Sequence, residues 1–144
     1  MKVLKNSKFK GIKQNIISVN PKNTVFEALE IMVQKNVGSI LVMDEDKFAG
    51  IFTERDYARK LILQGKSSKE TLIGEIMTLN PVTITPDFSI EDCMHLMTDK
   101  FIRHLPVIEN NKLIGIISIG DLVKSIIEEQ KFIIDNLEHY ISGT

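Results

Sequence analysis

Shifted by 65 residues, this 144-residue chain superimposes on itself without a gap, Ile17 to Ile62 falling on Val82 to Ile127. Pro21 meets Pro86, Met32 meets Met97, Lys35 meets Lys100 and Lys47 meets Lys112. Gly50-Ile51 meets Gly115-Ile116, and Asp56 meets Asp121; Thr24 with Ser89, Ala28 with Cys93 and Thr53 with Ser118 keep their character. Whatever fold forms must therefore accept the same apolar pattern twice. Two copies are too few for a solenoid, in which at least three stacked units bury a continuous core. They predict a pseudo-twofold pair, each half covering the other's exposed apolar face. By copy, the chain divides into residues 1–68, an N-terminal segment plus the first repeat, and 69–144, the second repeat with an extended C-terminal helix.

Each copy reads in the same order. A short β segment (Ile16 to Val19; Val82 to Ile84) ends at Pro21 or Pro86. Thr24-x-x-Glu27 and Ser89-x-x-Asp92 are capping-box patterns, in which hydroxyl and carboxylate satisfy orphan N–H groups at a helix start. Val25, Ala28, Leu29, Met32 and Val33 recur at helical spacing, and Ile90, Cys93, Met94 and Met97 repeat the stripe. Apolar strands follow at Ile40 to Met43 and Leu105 to Ile108, then polar turns at residues 44–46 and 109–111, then strands Phe48 to Thr53 and Leu113 to Ser118. A last helix starts near Asp56 or Asp121. The fold class is α/β (α+β), β-α-β-β-α twice, with a right-handed parallel βαβ crossover and an antiparallel strand after it. Residues 64–75 are polar and read as the linker. In the second copy a helical stripe continues through Val123, Ile126, Ile127, Ile133, Ile134, Leu137 and Ile141, apolar surface that predicts a partner or neighbouring half to cover it.

The totals exclude several classes. Net charge is −1, from 18 basic against 19 acidic residues, which argues against nucleic acid, whose binding needs uncompensated Lys and Arg to displace counterions. No apolar run approaches the ~20 residues of a membrane helix, and the N-terminus lacks a secretory signal pattern. A single cysteine, Cys93, fits a reducing compartment and a cytoplasmic home. Walker loops, Gly-x-Gly-x-x-Gly, nucleophile elbows and His-Glu-x-x-His are missing from the sequence, so no enzyme activity is expected. His95, His104 and His139 lack zinc-ligand spacing, and no metal is expected.

The sharpest local signal is a duplicated turn, Gly50-Ile-Phe-Thr53-Glu-Arg55-Asp56 and Gly115-Ile-Ile-Ser118-Ile-Gly120-Asp121. A glycine within an apolar strand marks the close approach of a ligand or another backbone. The hydroxyl and carboxylate then fall at a strand-to-helix junction, where unpaired N–H groups and the helix dipole favour anions. Two readings stand side by side. Thr53 and Ser118 are N-caps with the aspartates as first-turn carboxylates, or the aspartates accept the vicinal hydroxyls of a ribose.

The repeat, its element order and both Gly-h-h-Thr/Ser-x-x-Asp turns resemble a pair of CBS domains, over roughly Lys13 to Gln130. Arg103-His104-Leu105-Pro106-Val107 is similar to that family's phosphate-side segment. The resemblance implies an adenosyl ligand (AMP, ADP, ATP, S-adenosylmethionine or NAD(H)) held in clefts between the repeats as a regulatory signal and not as a catalytic cofactor. It implies that Asp56 and Asp121 hold ribose hydroxyls, with Thr53 and Ser118 toward ribose or phosphate. Loops at Asn15 to Ser18, including Ile17, and at Asn80 to Thr83, including Val82, would border the adenine. Gly38-Ser39-Ile40 and His104-Leu105-Pro106 would form the facing wall.

The copies differ in charge. Arg103-His104 stands where the first copy has Gly38-Ser39, and Arg suits phosphate through its planar fork of donors. Arg55 stands where the second copy has Gly120. The two clefts are therefore expected to be unequal, and which one Arg103 and His104 serve is left open. Cys93 reads as a small core residue, and Lys2, Lys5, Lys8, Lys10 and Lys13 as a solvated basic face. A homodimer through the amphipathic helices is expected. The rival to the nucleotide sensor is a protein-interaction module with vestigial clefts.

Overall fold

The computed structural model describes residues 16–142, with side chains described through residue 138. Expectations for Asn15, for the five N-terminal lysines, and for the side chains of His139 and Ile141 lie outside the described residues. Contacts divide the chain into two compact units between Val82 and Thr83.

The first unit carries a four-stranded sheet in the order β1-β2-β3-β4. Strand β1 (Ser18–Val19) leads into helix α1 (Val25–Lys35), which returns to β2 (Ser39–Asp44) parallel to β1. A tight turn with Glu45 at φ 56° connects to β3 (Lys47–Thr53), antiparallel to β2. These pairings follow the expected order. The start of α1 accounts for every orphan amide. Thr24 Oγ1 accepts from the Glu27 N–H at 3.1 Å, and the Glu27 carboxylate accepts from the Thr24 N–H at 3.0 Å. The Val25 and Phe26 amides donate to the Thr71 and Ser68 carbonyls at 2.9 and 3.0 Å.

Those last two bonds come from the stretch read as a polar linker, and the structure corrects that reading. Helix α3 (Ile73–Ile76) begins inside it and ends one residue past it, with Ile73 and Ile76 in the core beside Val25, Ala28, Met32, Ile40, Val42, Phe52 and Leu61. The Ile73 and Gly74 amides donate to the Asn23 and Pro21 carbonyls at 2.8 and 2.9 Å, which fastens α3 to the entrance of α1. One isoleucine within the stretch and one just past it are too few to lift a composition average, yet they suffice to dock one helical turn. A further strand, β4 (Thr78–Leu79), pairs antiparallel with β3 and closes the sheet. Val33, the last residue of the expected α1 stripe, is 80% exposed; it lies about 100° around the helix from the buried Met32.

The second unit repeats this plan with less sheet. Helix α4 (Ile90–Lys100) starts at Ser89 with the same reciprocal box to Asp92, and strands β5 (His104–Glu109) and β6 (Lys112–Ser118) form an antiparallel hairpin. The expected strand at Val82 to Ile84 contracts to one parallel bridge, Ile84 to Val107, with the Ile84 N–H donating to the Pro106 carbonyl at 3.0 Å. The duplication extends to irregularities. Both hairpins shift register at aligned places, after Val42 and after Val107. Both first helices end on an αL residue, Asn36 at φ 54° and Phe101 at φ 55°.

The copies part company after the final strand. In the first, α2 (Glu54–Asp56) passes into a π-helical turn, Tyr57–Ile62, whereas the second runs straight into α5 (Ile119–Ser142), 24 residues long. As expected, α5 outruns the repeat, and Val123, Ile127, Ile133, Ile134 and Leu137 stay exposed along it.

Candidate functional site

Each duplicated turn is set by the strand that ends in it. Thr53 closes β3 in an extended conformation and caps α2, its Oγ1 accepting from the Asp56 N–H at 3.2 Å while Asp56 Oδ2 accepts from the Thr53 N–H at 3.0 Å. Ser118 does the same at the end of β6. Its Oγ accepts from the Asp121 N–H at 3.2 Å, and Asp121 Oδ2 accepts from the Ser118 N–H at 2.9 Å. The capping reading therefore describes both turns. It leaves a second question, how much acceptor capacity each carboxylate keeps.

A carboxylate offers about four lone-pair positions. At Asp56 all are engaged. Oδ2 takes the Thr53 N–H and the Thr53 hydroxyl, and Oδ1 takes the Thr78 hydroxyl at 3.0 Å and the Lys60 ammonium at 3.0 Å. Asp56 is 5% exposed. At Asp121, among the described residues, the Ser118 N–H on Oδ2 is the one donor, and the residue is partly exposed. Two turns of one Gly-h-h-Thr/Ser-x-x-Asp pattern thus hold one saturated and one largely open carboxylate.

The glycine in the first turn has a concrete reason. A Cβ at Gly50 would meet the Thr78 carbonyl oxygen, so glycine admits the β4 backbone against β3. That approach delivers Thr78 to Asp56. Of the two causes considered for an in-strand glycine, another backbone is the one found here. Gly120 is different: a Cβ there would meet nothing nearer than Ser118 Oγ at 3.6 Å, so its contrast with the exposed Arg55 is one of charge and not of backbone need.

Register brings the remaining candidates to the same hairpin ends. Ser39 pairs with Thr53 and the Glu54 N–H donates to the Gly38 carbonyl at 3.2 Å. His104 pairs with Ser118, and the Ile119 N–H donates to the Arg103 carbonyl at 2.8 Å. Arg103 and His104 therefore flank the turn of their own copy, Arg103 exposed and His104 partly so. Ser39 is buried. Leu105 is fully buried and Pro106 buried, so their side chains are spent on the core and only main chain is left for a facing wall. Ile17 precedes β1 and Asn80 and Val82 follow β4, on opposite edges of the four-stranded sheet. Sequence reasoning missed Lys60 and Thr78. Lys60 was legible as the i+4 partner of Asp56 on one helical face; nothing local announced Thr78, 22 residues away.

Elsewhere the chemistry is quiet. Cys93 is fully buried, and burial first, then the charge of Asp92, pushes its thiol up to about 11. Among the described residues, no group of three His, Cys, Asp or Glu side chains is placed to hold a metal ion, and no helix is long and apolar enough to cross a membrane. A groove between α4 and α5 is lined by Ile90, Met94, Ile126 and Ile133 together with Glu91 and Glu129; neither Asp121 nor Ser118 lines it.

Duplicated α/β units, each ending its hairpin in a hydroxyl–carboxylate cap, define a tandem-repeat protein whose candidate sites lie at strand-to-helix junctions. The CBS domain matches the chain twice, at residues 10–63 and 73–128, and the chain belongs to that family. It is 44% identical over 126 residues to the mitochondrial CBS domain-containing protein CBSX3 of Arabidopsis thaliana, an alignment covering 84% of this chain and 61% of that protein. It is 37% identical over 107 residues to the CBS domain-containing protein YhcV of Bacillus subtilis, covering 74% and 76%. The solved structure of a CBS-domain protein from Burkholderia ambifaria superposes with a TM-score of 0.80 at 48% identity, covering 89% of this chain and 93% of that one. CBS pairs are in general regulatory modules that bind adenosyl ligands.

Proposed function

We propose that this chain is a regulatory sensor of an adenosyl ligand such as AMP, ADP, ATP or NAD(H), with Asp121 as the principal ribose acceptor. The observation that carries the reading is the open Asp121 carboxylate, held in place through Oδ2 by the Ser118 N–H and free of other donors among the described residues. A preorganised carboxylate with spare lone pairs accepts a vicinal diol without first breaking a protein bond. Arg103, exposed at the same hairpin end, supplies charge for a phosphate, and the helix start of α5 adds its dipole. The ligand then relays its presence by favouring one conformation, to the extent that it binds the two states differently. The setting we assign is cytoplasmic, and the role is regulatory and not catalytic.

A thermal-shift panel of adenine nucleotides tests this. A ligand at 100 times its dissociation constant stabilises the native state by ~2.7 kcal/mol. Asp121→Ala should abolish the shift while leaving the ligand-free melt near wild type. No shift with any nucleotide, or an unchanged shift in Asp121→Ala, refutes the assignment.

A second reading rests on α5. Val123, Ile127, Ile134 and Leu137 are exposed along one helix, on the alternating four- and three-residue seam that packs two helices, with Gln130 as its one polar position. We assign that stripe to a homodimer, and sedimentation of Ile134→Glu beside the wild type tests it. An interaction module that binds no nucleotide would show this association and no thermal shift.

A further inference from the structure

We propose that Lys60 acts as a built-in ligand surrogate that locks the first repeat, so that the chain takes up one nucleoside, through Asp121, and not two. The proposal rests on the nucleotide-sensor reading and goes beyond it by fixing stoichiometry and naming the residue that sets it. In the first repeat the Lys60 ammonium lies 3.0 Å from Asp56 Oδ1 and 3.4 Å from Thr78 Oγ1, while Thr78 donates to the same oxygen. Thr53 fills Oδ2 through its amide and its hydroxyl. A ribose offers that carboxylate two O–H donors, the same count that Lys60 and Thr78 already supply, so a diol must evict both.

The second repeat has no equivalent among the described residues. The position aligned with Lys60 is Ser125, four residues after Asp121, and the segment 57–62 that carries Lys60 is π-helical whereas α5 is regular. The Lys60 side chain is 43% exposed and that of Asp56 only 6%. The carboxylate is thus enclosed, with the ammonium as its cover. An ammonium also occupies the space in front of Oδ1 with positive charge, which a neutral sugar does not replace in kind.

Isothermal titration with AMP of the full chain tests this. The wild type should bind one AMP per chain. Lys60→Met, which keeps the stem and removes the charge, should bind two, and Lys60→Met combined with Asp56→Asn should return to one. Reciprocally, Ser125→Lys should place an ammonium at the i+4 position of Asp121 and weaken AMP at least tenfold, whereas Ser125→Gln, of similar length without charge, should stay within threefold of wild type. Two AMP per wild-type chain, or one per Lys60→Met chain, overturns the lock and leaves the sensor reading standing. So does a loss of affinity in Lys60→Met, which would make Lys60 a phosphate contact. If the wild type binds no AMP, a site gained in Lys60→Met upholds the lock alone, and none gained overturns both. If circular dichroism shows Lys60→Met unfolded, the Ser125 pair decides: loss in Ser125→Lys alone supports the lock, and equal affinities overturn it.

Discussion

The Thr78 hydroxyl donates to Asp56 Oδ1 at 3.0 Å, tying strand β4 to a helical turn 22 residues earlier in the chain. Asp56 is buried, so each of its donors offsets the cost of holding a carboxylate out of water. Thr78→Val keeps the shape and removes the donor. It should lower stability by about 1.5–3 kcal/mol, the usual worth of a hydrogen bond to a charged group. In urea the midpoint should fall at an unchanged slope, and Thr78→Ser should restore it. A midpoint unmoved in Thr78→Val would mean that Lys60 and Thr53 alone satisfy the carboxylate.

Gly50 is the sequence's own record of that strand. An alanine there would place its Cβ against the Thr78 carbonyl, and a backbone oxygen paired in β4 has no rotamer by which to step aside. Gly50→Ala should cost about 1–3 kcal/mol, in the range of overpacked cores. Amide exchange at Thr78 and Leu79 should rise more than at β2. Protection unchanged at β4 would show that the sheet absorbs the methyl elsewhere.

The repeat, the capping boxes and the hairpins were legible because each is a local pattern written twice. Thr24 with Glu27 and Ser89 with Asp92 need only three residues of spacing to be recognised, and both boxes form. The 65-residue shift even aligns irregularities that no propensity would suggest, the bulges after Val42 and Val107. The turn motifs were legible as positions but not as states. Asp56 and Asp121 close the same Gly-h-h-Thr/Ser-x-x-Asp pattern, and what saturates only the first is Thr78, brought in by tertiary pairing, together with Lys60, presented by a π-helical turn where the second copy has Ser125. The linker reading of residues 64–75 fails for the opposite reason: Ile73 within that stretch and Ile76 just past it are core residues where the average is polar. A strand of two residues such as β4 has no periodicity to read.

The Thr24 box has a pH signature. The Glu27 carboxyl is held below its ordinary value of 4.5 first by the Thr24 N–H, then by the Thr24 hydroxyl and by Asn23. A depressed folded value means that the ionised form is favoured by folding. This contribution is therefore fully present above 4.5 and is lost as pH falls through the folded value. Glu27→Gln should remain helical and flatten that acid-side decline, read as urea midpoints across the carboxylate range. Thr24→Ala, which removes the cap itself, should cost about 1 kcal/mol at neutral pH. Parallel acid profiles for wild type and Glu27→Gln would assign the decline to other carboxylates.

Phe101 and Asn36 occupy aligned helix ends in the same left-handed conformation, but only Asn suits it. An L-residue with a bulky side chain pays roughly 1–2 kcal/mol in that region, and Asn is among the few that visit it routinely. The Phe101 ring is 74% exposed, so little burial offsets the strain. Phe101→Asn should therefore stabilise the protein by about 0.5–1 kcal/mol, most of the strain returned less the small contact area lost. Thermal and urea melts of the single variant measure it directly. A loss of stability would show that the ring is covered in solution, and dilution would then separate the sources: a deficit that vanishes at low protein concentration places Phe101 in a contact between copies, whereas one that persists places it within the chain.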